Sequence, residues 1–337
     1  MIRVINLVDD TNVGGVMRGI STTAGHFSAD IQVEIRQVKT VWSLPPRLAA
    51  DIVLIDFTMS WAKLLFLFML RLNFRGPLVV VEHSYTESYE ANMVEHRSRF
   101  RLMLRLSYWL IDRVVAVSNG QGRWIKDVGL VKDHKLTTIV QSLDVSALAH
   151  VADIEISHSP MHLGAYGRFT QQKGFDILIE AMRLVPPHVA TLTIAGYGPD
   201  EAALRLQAKD IENVMFRGKF SSPDRILSDV EAVVVPSRWE AYGLVAIEAR
   251  AAGRPVIASA VDGLIEQIHQ DWGLLVPHDD PISLAAAIIE LAKKDRATMG
   301  RAARRSAAGS LARKVSEWEE LYRAMAPQAD AMVAGAA

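Results

Sequence analysis

Short apolar runs rich in Val and Ile recur along the whole chain, and between them apolar residues return every three or four positions. Runs of four to eight such residues read as strands buried on both faces, and the intervening stretches as helices packed over them. In the first half the expected strands are 3–8, 31–36, 52–56, 78–82, 113–117 and 136–140; in the second they are 162–166, 191–195, 214–217, 232–235, 256–259 and 273–276. Strand-helix alternation, met twice, predicts an α/β protein of two Rossmann-like, doubly wound parallel-sheet domains. The polar stretch 152–160 is the expected linker, giving domains at 1–151 and 152–312. Asp280-Pro281 reads as a helix cap with proline in the first turn, and 315–325 has helical periodicity. The tail 329–337 is expected to fray.

Two segments of the second half carry candidate chemistry. The run Pro236-Ser-Arg-Trp-Glu240-Ala-Tyr-Gly243-Leu244-Val-Ala-Ile-Glu248-Ala249 sets two carboxylates eight residues apart, the first in a strand-to-helix loop and the second on the helix that Gly243 opens. Free amides at that helix start, Gly243 and Leu244 among them, suit an anion, and the carboxylates suit hydroxyls, a pairing that a phosphorylated sugar offers. An exposed loop glutamate and a helix-surface glutamate would give the same spacing. Upstream, Gly164-Ala-Tyr-Gly167-Arg168-Phe-Thr-Gln-Gln-Lys173-Gly174 is a strand, a loop with two cations and a helix start. Arginine grips phosphate oxygens bidentately and lysine adds a point charge, so the pair suits a diphosphate, although either cation alone could be solvated.

With these residues the chain resembles the retaining glycosyltransferases of the GT-B fold, in particular family 4 (glycosyltransferase group 1). The likeness covers most of the length. It is carried by Gly14-Gly15 after the first strand, Val81-Glu82-His83, Val117-Ser118, Gly167-Arg168 with Lys173-Gly174, Gly196-Tyr-Gly198-Pro199, Glu240 with Glu248, and Gly253-Arg-Pro-Val-Ile257. The chain departs from the family where Gln141-Ser142-Leu143-Asp144 replaces Asn-Gly-Val-Asp and where Asp262-Gly263-Leu264-Ile265-Glu266 replaces a Gly-Gly-x-x-Glu loop.

The resemblance implies transfer of a hexosyl unit from a nucleotide-diphosphate sugar to a glycan or lipid-linked acceptor, with retention, in cell-surface polysaccharide or glycolipid assembly. The first domain would bind the acceptor and the second the nucleotide sugar, with the helix at 313–328 crossing back to the first. Ligands would lie at the carboxyl ends of the strands, in the cleft between the sheets. His83, Glu240, Arg168 and Lys173 are the expected catalytic set. His83 would face the transferred sugar, although a lone histidine ending a strand is also an ordinary structural residue. Glu240 would bind sugar hydroxyls and Glu248 the ribose. Gly14, Gly15, Gly167, Arg168, Lys173, Gly198, Arg217, Gly243, Leu244 and Glu248 form the expected donor-binding set. Plain turns explain the glycines nearly as well, and helix capping alone could be the role of Ser118. No metal or other cofactor is expected, because side-chain cations already meet the diphosphate and the acidic pairs Asp9-Asp10 and Asp279-Asp280 sit in a loop start and a helix cap. Two other classes fit much of the pattern: a GT-B nucleotide-sugar epimerase and a catalytically silent nucleotide-sugar-binding partner.

Composition agrees with two cores: 337 residues, half of them hydrophobic, and no cysteine for disulfides or thiolate chemistry. The start lacks a basic region and a small-residue cleavage site, and the longest apolar run, 64–70, closes at Arg71 before it could span a bilayer. A cytoplasmic protein with no nucleic-acid partner is expected. The net charge of −1 hides an asymmetry, with 17 Lys/Arg against 14 Asp/Glu in residues 1–150 and 20 against 24 in the remainder. Arg97, Arg101 and Arg105 recur as one stripe of a helix, with Phe100, Met103, Leu104, Leu110 and Ile111 on a neighbouring face and Tyr108 and Trp109 beside them. This segment, with the hydrophobic stretch 61–72, is the expected contact with an anionic membrane surface, on the cytoplasmic face of the inner membrane. An amphipathic helix packed on the sheet with a solvated basic face would read the same way.

Overall fold

Each expected apolar run is a strand in the computed structural model, which describes residues 1–9, 15–38, 48–154, 160–220 and 222–334. The first unit comprises Met1–Leu143 and Ser310–Ala337, the second Asp144–Gly309; the boundaries expected from sequence, 151/152 and 312/313, fall slightly later in the chain.

In the first unit the order is β1 (Ile2–Val8), α1 (Gly15–Ala24), β2 (Ile31–Gln37), β3 (Ile52–Ile55), α2 (Trp61–Asn73), β4 (Leu78–Glu82), α3 (Glu87–Met93), α4 (Arg97–Trp109), β5 (Arg113–Ala116), α5 (Asn119–Asp127) and β6 (Leu136–Thr138). The strands form one parallel sheet in the order β2-β1-β3-β4-β5-β6. Winding therefore reverses beside β1, which pairs with β2 on one edge and β3 on the other, Val4 standing opposite Val33 and Ile52 respectively. Residues such as Ile5, Leu7, Val53, Ile55, Val80 and Val114 fill the core against Leu67, Leu70 and Leu104 of the covering helices.

In the second unit β7 (Met161–Arg168), α6 (Phe175–Leu184), β8 (Ala190–Tyr197), α7 (Glu201–Gln207), β9 (Val214–Gly218), α8 (Asp224–Leu227), β10 (Ala232–Val235), α9 (Leu244–Ala251), β11 (Val256–Ser259), β12 (Gly273–Val276), α10 (Pro281–Ala292) and α11 (Arg296–Ala307) follow one another. Its parallel sheet runs β12-β11-β10-β7-β8-β9, so the reversal lies between β7 and β10. β7 and β8 run longer than their apolar cores because the ladder continues through Gly167 opposite Gly196 and Arg168 opposite Tyr197. A Cβ on Gly196 would stand 1.9 Å from the Gly167 carbonyl oxygen, so only glycine lets the two backbones stay paired there.

The last helix, α12 (Ser310–Ala334), packs on the first unit. The Ser28 amide donates to Glu319 Oε1 at 2.7 Å, Phe27 meets Tyr322 edge to face, and Ser142 Oγ lies 2.9 Å from Ser310 Oγ. No helix among the described residues is long and apolar enough to cross a membrane.

Candidate active site

The two segments singled out in the second unit flank the β7/β10 reversal, where the carboxyl ends of adjacent strands bring their loops together and where doubly wound sheets place ligands. Gly174, with φ of 61°, turns the loop after β7 into α6; a Cβ there would lie 2.1 Å from the Pro236 carbonyl oxygen. The loops are laced by Arg238 N to Gln172 O (2.8 Å) and Gln172 Nε2 to Trp239 O (3.1 Å), while the Arg238 guanidinium grips Asp176 and Asp279.

This lacing delivers Lys173 Nζ to Glu240 Oε2 at 2.6 Å, with both side chains largely buried. Ser237 Oγ donates to the same oxygen at 3.1 Å. Asp262 fixes the Glu240 backbone: its Oδ2 accepts from Glu240 N at 3.0 Å, and Gly263 N donates to Glu240 O at 3.1 Å. Asp262 adopts φ of 38°, a left-handed conformation that aspartate tolerates through local hydrogen bonding. The departure from Gly-Gly at this loop thus gives Glu240 an extra anchor, a role the sequence reading did not assign.

Arg168 ends β7, is exposed, and forms no ion pair among the described residues. Gly243 and Leu244 open α9, whose first amides point out of the helix end beside Glu240. Glu248 is 1% exposed and accepts from Tyr166 Oη at 2.9 Å, so this carboxylate lies beneath the loops, held by a tyrosine of β7. Gly198 packs its backbone on Phe169. Arg217 stands apart from the cluster: it lies on edge strand β9, paired with Asp229 and donating to Arg225 O, and the structure does not bring it to Lys173 and Glu240. Of the acidic pairs, Asp9 meets Lys63 at 2.5 Å, Asp279 meets Arg238, and Asp280 accepts from the amides of Ile282 and Ser283, while Asp10 lies outside the described residues.

In the first unit His83 follows β4 and Asp56 follows β3, on neighbouring strands, with His83 Nε2 at 2.5 Å from Asp56 Oδ1. Gly15 opens α1, and Gly14 lies outside the described residues. Ser118 caps α5, its Oγ accepting from Gln121 N at 3.1 Å. Beneath His83, Glu82 is buried and accepts from Ser84 N, Tyr85 N and Tyr108 Oη; burial pushes its carboxyl up despite those bonds.

The three arginines of the α4 stripe differ in their partners. Arg101 makes a two-pronged pair with Glu90 at 2.6 and 2.9 Å, and Arg105 donates to the carbonyls of Gly129 and Val128. Among the described residues, only Arg97 of the three has no such bond. Met103, Leu104, Tyr108 and Ile111 belong to the core. The large apolar residues that α4 exposes are Leu102, Leu106 and Trp109, and those of α2 are Trp61, Leu65, Phe68 and Leu72, with the Arg99 guanidinium over the Trp61 ring.

Two parallel doubly wound sheets, the second with a cation-and-carboxylate cluster at its switch point, give the chain the GT-B fold. Residues 160–294 match the family described as Glycosyl transferases group 1, and the fold along the whole chain is that of GT-B glycosyltransferase structures. It is similar to an uncharacterized glycosyltransferase of Methanocaldococcus jannaschii, 32% identical over 184 residues that make up 52% of this chain and 43% of that one. A GDP-mannose-dependent monoacylated α-(1-6)-phosphatidylinositol monomannoside mannosyltransferase of Corynebacterium glutamicum is 36% identical over 155 residues, 41% of this chain and 40% of the relative. The matches thus span less than half the length of these curated relatives. In fold the chain resembles Anabaena HepE in complex with UDP and glucose, with a TM-score of 0.76, 17% identity, and coverage of 96% of this chain and all of the other.

Proposed function

We propose that the protein is a retaining hexosyltransferase that uses a nucleotide-diphosphate sugar and a glycan or lipid-linked acceptor, in the assembly of cell-surface polysaccharide or glycolipid. The observation that carries this reading is the Lys173–Glu240 pair at the β7/β10 switch point, with exposed Arg168 and the first amides of α9 beside it.

Breaking the bond between an anomeric carbon and a diphosphate leaves negative charge on the phosphate and positive charge on the sugar. Arg168, Lys173 and the α9 amides meet the first, where fixed donors act most strongly. Glu240 meets hydroxyls of the sugar and favours its positive charge. No nucleophile is assigned to the opposite face, so the acceptor oxygen attacks from the side of the departing phosphate and configuration is retained. With the leaving group held by side chains and amides, the chemistry needs no divalent ion. His83, in the first unit, serves the transferred sugar. The bound UDP and glucose of the Anabaena protein and the lipid acceptor named for the Corynebacterium relative support a nucleotide sugar and a lipid-carried acceptor here.

Support for a membrane-surface acceptor comes from the exposed apolar face of α2 and α4, not from the arginine stripe. Trp61, Leu65, Phe68 and Leu72 repeat at helical spacing, Leu102, Leu106 and Trp109 do likewise on the adjoining helix, and Arg97 and Arg99 add charge at one end. Nucleotide sugars screened by thermal shift, followed by transfer assays with lipid-linked acceptors, test the reading. A donor at 100 times its Kd should add about 2.7 kcal/mol of stability. Absence of stabilisation by every nucleotide sugar would overturn it.

A further inference from the structure

A small cavity of about 40 Å³ inside the first unit is lined by the ends of β1, β3 and β4 and by α1 and α12. His83, Asp56 and Lys314 meet at its wall, with the Tyr322 phenol beside them. The Asp56 side chain is 2% exposed. Its Oδ1 takes the bond from His83 Nε2, and its Oδ2 has no hydrogen-bond partner among the described residues. A buried carboxylate held by one bond is unfavourable unless positive charge stands near.

Lys314 comes from α12, far along the chain, and is also buried. Its ammonium donates to Gln141 Oε1, to Ser142 O at 3.1 Å and to Gly19 O at 3.4 Å, so it touches Asp56 through the field across the cavity and not by contact. Burial pulls it down to about 8 while Asp56 works the other way. The other ionisable groups near the histidine are already committed. Glu82 is saturated by two amides and the Tyr108 hydroxyl, and burial carries the Tyr322 phenol well above its usual range.

We propose that Asp56 and Lys314 are positioning residues for His83: Asp56 holds the Nε2–H tautomer and leaves Nδ1 as the ring atom offered to a ligand, and Lys314 supplies the positive charge that faces Asp56 across the cavity. The proposal rests on the reading that His83 serves the transferred sugar, and it adds the two groups that set its tautomer and charge. With Lys314 charged, the ammonium and carboxylate balance, and the ring need carry no charge of its own to offset Asp56. Without that ammonium, the imidazole becomes the cation that Asp56 attracts. Gln141 and Ser142 fall in the segment where the chain departs from Asn-Gly-Val-Asp, and here they hold the ammonium in place.

The His83 ring, followed by ¹⁵N NMR in the intact chain and assigned by the signal lost in His83→Gln, decides the matter without any transfer assay. The wild type should show the Nε2–H tautomer. Lys314→Met should raise the midpoint of the ring titration by about one pH unit, and Asp56→Asn should lower it and mix the tautomers. Superimposable titrations and tautomers in wild type and Lys314→Met would overturn the proposal, and this comparison stands alone if Asp56→Asn fails to fold. In transfer assays the acid limb of the pH-rate profile should move with the ring midpoint. A moved titration with no turnover of any donor would leave the positioning role standing and defeat the transferase reading.

Discussion

Lys173 Nζ and Glu240 Oε2, 67 residues apart in sequence, lie 2.6 Å apart because β7 and β10 are neighbours in the sheet. The cation expected to hold a diphosphate and the carboxylate expected to hold the sugar thus neutralise each other. On the proposed reading, a nucleotide sugar entering this site would compete with Glu240 for the ammonium.

Lys173→Ala and Arg168→Ala should each raise the Kd for a nucleotide sugar by about 10- to 150-fold, since each removes a charge-assisted bond of about 1.5–3 kcal/mol. Folding should survive both changes, because Arg168 is exposed and Glu240 retains Ser237 and the backbone anchors from Asp262 and Gly263. Titration calorimetry with far-UV circular dichroism measures the two effects separately. Unchanged affinity in both variants would remove the diphosphate assignment.

Transfer from an α-linked donor should give an α-linked product in the presence of EDTA. Proton NMR of the anomeric signal reads the configuration directly. Activity lost on chelation and restored by magnesium would contradict the metal-independent scheme.

Arg101→Ala should destabilise the first unit by about 3 kcal/mol, because it strands Glu90, which is 3% exposed and otherwise bonded to Trp124 Nε1 at 3.2 Å. Although burial works against it, the Arg101 pair holds the Glu90 carboxyl below its usual range, so this contribution should be present above about pH 4.5 and fade as pH falls through the depressed native value. Arg97→Ala should change stability by less than about 0.5 kcal/mol. Urea unfolding of the two variants at pH 7 and pH 4 checks both the size and the sign.

Lys314 gives a slope of the same sign in a different pH window. In the folded chain it loses its proton near pH 8 and in the unfolded chain near 10.5, so the unfolded state holds more protons between these values and stability should rise with pH across that window. The burial penalty that is relieved amounts to about 3 kcal/mol. Subtracting the curve of Lys314→Met from that of the wild type isolates it; parallel curves from pH 7 to 10.5 would mean that the ammonium is not desolvated.

The wild type should cosediment with anionic vesicles at low salt and be released as salt rises. Leu65→Glu combined with Phe68→Glu should abolish binding and leave the melting temperature nearly unchanged, since both side chains are about half exposed. Equal, negligible binding of the wild type to anionic and neutral vesicles would point to a soluble acceptor.

The strands were legible from sequence because parallel strands buried on both faces must be continuous apolar runs, and the Arg168–Lys173 and Glu240–Glu248 segments because strand-to-helix loops with glycine starts have a local signature. Glycine at 174 and 243 likewise follows from local backbone demand. The partners of these residues follow from strand order, which no local pattern encodes. Periodicity put Arg101 and Arg105 on one helical stripe, and only packing showed that Glu90 and the α5 C-terminal carbonyls take them while Leu102, Leu106 and Trp109 are left outside. The same holds for Lys314, Asp56 and His83, which gather around one cavity from three distant segments. Sequence determined which elements form and where each turn must bend, since those depend on neighbours along the chain. Which charges meet, which carboxylate is buried and which apolar face stays in water were decided by the tertiary structure, because Coulomb energy and desolvation depend on distances through space.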